Sequence, residues 1–294
     1  NNVINYVGNT DGTVINNAIR RSGNEDKERI ASGIKVNDNT LVMVIPSVDV
    51  YFDPVTWEST VMAEGVLFYY CEDVEFENNN VTFRYNGFTT AYGYDTLYVV
   101  SVRGNPYNFD AEDPIICSDV VISNNTIDAE GHTYIYGIFV SSDYLEVSNN
   151  NICVSSDINY ANGIDIEGPS IDGIVTGNDI TVTALNNVYA IYSAQYNGAI
   201  ENMTYVENNV NAYAYAACGM ELIECNPYVS ENEFRVYGNY TFGIVASIRD
   251  NGTFVDNFIR SVGVNVGNDT TGDSLLPKTS MGISIKGSNV VERS

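Results

Sequence analysis

Nine positions along the chain carry an Asn, or once an Asp, three residues after an apolar side chain: Asn17, Asp53, Asn79, Asn125, Asn150, Asn178, Asn208, Asn232 and Asn257. Two residues further on stands Ile, Val or Phe, from Ile19 and Val55 to Phe234 and Ile259. Self-similarity at a near-constant period marks a chain of stacked units, each of which buries its apolar face only against its neighbours. This constraint decides the fold class before any single residue does.

A second column follows the first: Gly33, Gly65, Gly93, Gly137, Gly163, Ala190, Gly219, Gly243 and Gly282. The offset is about 11 to 16 residues, except before Gly282, where roughly a dozen more intervene as a loop. After each Gly the apolar residues alternate, as in Gly163-Ile164-Asp165-Ile166, which is the pattern of a strand with one buried face. Each unit therefore reads as three short strands, one before the Asn, one just after it and one after the Gly. The expectation is an all-β fold, a right-handed parallel β-helix of about nine turns forming one domain over 1–294. The hand follows from the preference for right-handed crossovers. At about 4.8 Å per turn the rod is on the order of 40 Å long.

Asn suits one bend because it tolerates an unusual backbone conformation and its amide can pair with the Asn above and below. Gly suits the other bend if positive φ is needed there. Parity then gives the core. Val14, Val50, Phe76, Ile122, Val147, Val175, Val229 and Phe254 point inward, with Val206 or Tyr205 in the seventh unit. The residues two after each Asn stack likewise. A composition 44% hydrophobic and only 17% charged argues against an unfolded Asn-rich tract.

With 38 acidic and 13 basic residues, the net charge is −25, and between Lys35 and Arg235 only Arg84 and Arg103 are basic. Such a surface repels polyanions, so nucleic acid and anionic membrane surfaces are not expected as partners. Polyuronates would need bridging cations, a role calcium fits. No apolar run reaches about 18 residues, so no membrane insertion is expected. The chain opens mid-repeat, which suggests a piece of a longer surface protein. Cys71 and Cys117 each stand eight residues before their column Asn and should be stacked, as buried thiols or as a disulfide. His132 is the sole histidine, and a surface or turn role is expected for it. Six N-x-Ser/Thr sequons add nothing, because Asn is so abundant.

The segments VVISNNTIDAEGHTYIYGIFV, LEVSNNNICVSSDINYANGIDI and YVSENEFRVYGNYTFGIVA resemble the repeats of carbohydrate-active parallel β-helix proteins. They are most similar to the Asn-rich, acidic adhesin-like surface proteins of methanogenic archaea. The resemblance covers nearly the whole chain and implies an extracellular, cell-surface rod that engages a glycan or a cell-surface protein, with no cofactor. The enzymes among these proteins would imply action on polysaccharides instead. A lyase needs a basic side chain beside cations that neutralise the substrate carboxylate, and only Arg84 and Arg103 stand mid-chain. The polygalacturonase-like set of Asn-Thr-Asp, Asp-Asp, His-Gly and Arg-Ile-Lys is absent apart from isolated fragments such as Gly131-His132.

One constellation remains. The residue two past each Gly should face solvent, giving a row of Asp95, Phe139, Asp165, Tyr192 and Glu221, with Glu167 and Tyr69 extending the same face. This is a candidate sugar-binding strip, with rings under pyranose faces and carboxylates accepting hydroxyl hydrogen bonds. Alternatively, Asp165 and Glu221, about 9 to 10 Å apart across two turns, form the acid and base of an inverting hydrolase. A structural spacer or a virion spike segment is a third reading. Two excursions, near 100–114 with Asp110, Glu112 and Asp113 and near 263–280 with Asp269 and Asp273, are the expected recognition loops. Their acidic residues lack the spacing of an EF-hand, so calcium there is an open alternative.

Overall fold

A computed structural model of the chain describes residues 2–7, 14–22, 30–45, 61–86, 96–104, 117–195, 199–264, 280–287 and 290–293. Within these residues the protein is all-β, with every paired strand parallel to its partners and no helix. Pairing runs between segments about one repeat apart rather than between adjacent short strands, so that Thr126–Gly131 lies between Asn80–Tyr85 and Asn151–Ser156. Where one long strand, Asn209–Ser230, spans most of a turn, it pairs with both Ile200–Val206 before it and Glu233–Ile248 after it. Three parallel ladders result, corresponding to the strands before the Asn, after the Asn and after the Gly. This is the pairing of a parallel β-solenoid.

The interior is filled by the alternate residues of all three ladders. Phe76, Ile122, Val147, Val175, Tyr205, Val229 and Phe254 form one buried column, and Val81, Ile127, Ile152, Ile180, Val210 and Phe234 form another. In the seventh unit it is Tyr205 that points inward, and Val206 is half-exposed. Such stacking of like side chains one strand spacing apart removes nearly all of their apolar surface from water. Val50 and Val55 lie outside the described residues.

The Asn column is real, but its first two members differ from the sequence reading. Asn2, Asn39, Asn79, Asn125, Asn150, Asn178, Asn208, Asn232 and Asn257 form the ladder, each donating from Nδ2 to Oδ1 of the next at 2.9–3.2 Å. Asn17 lies in another ladder, opposite Glu64, and Asp53 lies outside the described residues. Asn39 carries the same signature as the others, Val36 three before it and Leu41 two after. An assumed even period conceals it. The intervals between the first four ladder members are 37, 40 and 46 residues, against 24 to 30 thereafter.

The bend is also made differently. The left-handed residue is the one before the ladder Asn, among them Asp38 (φ 60°), Asn124 (φ 55°), Asn149 (φ 54°) and Gly177 (φ 64°). The ladder Asn is thereby freed to spend its amide on its neighbours.

The Gly column needs two corrections. Register places Gly65, Val99, Gly137, Gly163, Ala190, Gly219, Gly243 and Gly282 in one line. Gly33 instead pairs in the first ladder, and Gly93 lies outside the described residues. These column glycines do not have positive φ. At Gly65, Gly137, Gly163, Gly219 and Gly243 what excludes a side chain is close approach: a Cβ on Gly163 would stand 2.5 Å from the Ala190 carbonyl oxygen and 2.6 Å from Ile180 Cγ2, whereas one on Gly282 would meet nothing within 4 Å.

Cys71 and Cys117 are neighbours in the first ladder, as their spacing predicts. The Cys71 N–H donates to Cys117 Sγ at 3.4 Å; both are buried free thiols, and burial pushes the Cys117 thiol up to about 12. His132 bonds through Nδ1 to Asp157 at 2.5 Å at the surface end of a strand. The acidic residues of both long excursions, Asp110, Glu112, Asp113, Asp269 and Asp273, lie outside the described residues.

Candidate functional site

The outer face of the third ladder carries the predicted row. Leu67, Ser101, Phe139, Asp165, Tyr192, Glu221 and Val245 occupy equivalent positions on successive strands. Asp95 lies outside the described residues, and Ser101 takes the place expected for it. Counting from Gly93 places Asp95 in the row, whereas Val99 holds the column position there.

The row is not the solvent-facing surface that strand alternation alone predicts. Phe139 and Asp165 are each 2% exposed and Tyr192 is 8% exposed, because a second layer of side chains lies over them. That layer comes from two adjoining columns on the same face. One runs through Tyr98, Tyr136, Asn162, Tyr189, Cys218 and Phe242, and the other includes Tyr134, Tyr160, Ala216 and Tyr240. Ring centroids are 5.3 Å apart for Tyr134 and Tyr160, 5.5 Å for Tyr160 and Tyr189, and 5.4 Å for Tyr189 and Tyr192. Tyr98 and Tyr136 stack at 5.0 Å, and both rings meet Phe139. A strip of aromatic rings thus runs along the outside of the solenoid, separate from the aliphatic interior. Tyrosine fits here because its ring buries against a neighbour while its hydroxyl reaches the wet edge.

Carboxyl groups are embedded in this strip. Asp165 accepts a hydrogen bond from Asn162 Nδ2 at 2.5 Å, while burial, and then the nearby Glu167, push its carboxyl well above the usual range. Glu167 is half-buried and also raised by burial, an effect that Arg103 partly offsets. Burial alone pushes Glu221 from 4.5 up to about 7. Perturbed carboxyls gathered in one aromatic strip make it the candidate functional surface.

The polar atoms of this face are incompletely satisfied. Among the described residues, Ser101 Oγ, Arg103 Nε, Asn162 Oδ1 and Asp165 Oδ1 are buried without a hydrogen-bond partner, and only Gln195 Oε1 shares that state. Asn162, Ser101 and the Arg103–Glu64 pair escape the sequence reading. Asn162 could have been found, since it immediately precedes Gly163 just as Tyr136 precedes Gly137.

The two mid-chain arginines are already engaged. Arg103 Nη2 donates to Glu64 at 2.6 Å, with its guanidinium 5.1 Å from the Tyr98 ring centre and 5.9 Å from that of Phe139. Arg84 pairs with Asp128 and with Glu130 at 3.6 Å. Neither is poised as the base of a lyase.

As a catalytic pair, Asp165 and Glu221 stand two strand spacings apart, about 9 to 10 Å, at the upper limit for an inverting hydrolase. Asp165, however, is roofed by rings, so substrate would meet Glu221, Glu167 and the half-buried edges of Tyr134, Tyr136 and Tyr215 first. Among the described residues no group of three or more His, Cys, Asp and Glu could hold a metal ion, and no helix is long and apolar enough to cross a membrane. No protein-family model, curated protein or solved structure matches the chain.

Proposed function

We propose that this chain is a right-handed parallel β-helix of about nine turns, one domain of an extracellular, adhesin-like cell-surface protein, and that it binds a glycan without catalysis. The observation that carries this reading is the continuous strip of tyrosines on the outer face of the third ladder, with Asp165, Glu167 and Glu221 set among them. Rings in series give flat apolar contact for successive sugar units, and carboxylates at fixed intervals accept their hydroxyl hydrogens. Its resemblance to the acidic adhesin-like proteins of methanogenic archaea points the same way. A surface protein of the same envelope is the alternative partner.

A second reading, polysaccharide hydrolysis, is favoured by the raised Glu221, since a carboxyl near 7 suits a general acid at neutral pH. A glycan array run beside a reducing-sugar release assay on neutral polysaccharides separates the readings. Binding without release is the expected outcome. Release that disappears in Asp165→Asn and Glu221→Gln would overturn the adhesin reading in favour of hydrolysis. Silence in both assays would favour a structural spacer or a spike segment.

A further inference from the structure

We propose that the aromatic strip selects sugars carrying a free ammonium group, received at the half-buried rim of Tyr136 and Glu167 above Asp165 and Asn162. This rests on the glycan-binding reading and names its ligand class. The argument begins with the two buried acceptors that have no donor, Asp165 Oδ1 and Asn162 Oδ1. Asn162 has already turned its Nδ2 to Asp165 Oδ2, so once Asp165 ionises what these groups lack is hydrogen-bond donors. An ammonium group supplies three donors and no acceptor.

The same face contains a worked example of the chemistry. Arg103 sits over Tyr98 and Phe139 with its charge on the buried carboxylate of Glu64, a cation held between ring faces and an acid. Adjacent strands repeat the arrangement of rings and acids. Tyr136 lies 6.1 Å from Tyr160 and 6.0 Å from Phe139, with Asp165 and Glu167 beside them; Arg103 reaches the Phe139 face and eases Glu167, but among the described residues no cation stands over the rings of Tyr136 and Tyr160. Ring faces attract cations, and more strongly where water is excluded. The net charge of −25 adds a long-range field of the right sign. Burial favours the protonated forms of Asp165 and Glu167, and an ammonium group supplies the counter-charge with which they can ionise.

The test compares β-linked glucosamine oligosaccharides with their fully N-acetylated counterparts of equal length by titration calorimetry at pH 6, with oligolysine of matched charge as the control. The expected result is at least tenfold tighter binding of the free-amine sugar. Asp165→Asn and Glu167→Gln should lose that preference, as should Tyr136→Leu, which removes the ring face without touching a carboxylate. Cooperative thermal melts and an unchanged far-ultraviolet circular dichroism spectrum establish that each variant is folded. Equal or tighter binding of the acetylated sugar would overturn the ammonium inference while leaving the glycan reading intact. A preference that survives in all three variants, or oligolysine binding as tightly as the sugar, would reduce it to attraction by the overall charge. If neither sugar binds and the glycan array is also silent, the glycan reading falls with it.

Discussion

The asparagine ladder and the carboxylate row both run across successive strands, and both bury polar side chains, yet their hydrogen bonding is opposite. In the ladder, Asn150 Oδ1 accepts from the backbone N–H and Nδ2 of Asn125, both at 3.0 Å, while its own Nδ2 donates to Asn178 Oδ1 at 3.0 Å and to the Ile122 carbonyl at 2.9 Å. In the row, Asp165 shares one bond with Asn162 of the adjoining column, and each leaves an oxygen unpaired. Buried polar groups that complete their bonds fix a structure, whereas those that do not impose a cost that a bound ligand can remove. The ladder belongs to the scaffold, and under the proposed function the row serves recognition.

The largest expected effect tests the first half of that contrast. Asn150→Ala strands the Ile122 carbonyl and two donors of Asn125, each orphan costing roughly 1–3 kcal/mol, so a loss of about 4 kcal/mol is expected in chemical denaturation. A loss below about 1 kcal/mol would mean that the ladder is not what holds the bend.

Next comes the acid response of the row. Glu221 has a folded value of about 7 against an ordinary 4.5, so the folded state keeps its proton where the unfolded state has released it. Stability is therefore full below about pH 4.5, declines as pH rises, and levels off above about pH 7. This one group contributes about 3 kcal/mol of that decline. Melts of Glu221→Gln from pH 4.5 to 8 should show a visibly shallower profile than the unsubstituted chain, and superimposable profiles would contradict the burial of Glu221.

Asp165→Asn should act oppositely to Asn150→Ala. It keeps the side chain's volume, adds a donor and removes an ionisable group, so stability at pH 8 should rise by about 1 kcal/mol. A loss comparable with that of the ladder variant would erase the distinction between the two arrays.

The smallest effect is a control for backbone strain alone. Tyr144 is exposed at φ 52°, in register with Asp119 at φ 54°. Since Asn tolerates the left-handed region and Tyr does not, Tyr144→Asn should gain roughly 0.5 kcal/mol without changing either polar array.

The sequence reading recovers these arrays unequally, for physical reasons. Asn125 through Asn257 are found because short, regular intervals make a period visible. Asn39 is missed although Val36 and Leu41 flank it correctly, because long insertions hide the repeat from a reading that assumes an even one. The glycine column is recognised but assigned the wrong cause: backbone proximity between strands leaves no trace in one residue's local preferences. Strand parity places Phe139, Asp165, Tyr192 and Glu221 on one outward row. It cannot tell that Tyr134, Tyr136, Tyr160 and Tyr189, outward on adjoining columns, lean over that row and bury it, because burial is set by neighbours distant in sequence. The 22 tyrosines in the composition are the one available hint of a second aromatic layer.

The ladder has one more consequence. From Asn2 to Asn232 each Asn reaches forward with Nδ2, and from Asn39 to Asn257 each receives from behind on Oδ1, with no reversal. The amide dipoles therefore add. In the parallel sheets, N–H and C=O groups alternate up and down the axis and largely cancel, whereas this column does not. It polarises the protein end to end as peptide dipoles polarise an α-helix, with the positive pole toward the C-terminal strands. Each amide added strengthens those already aligned.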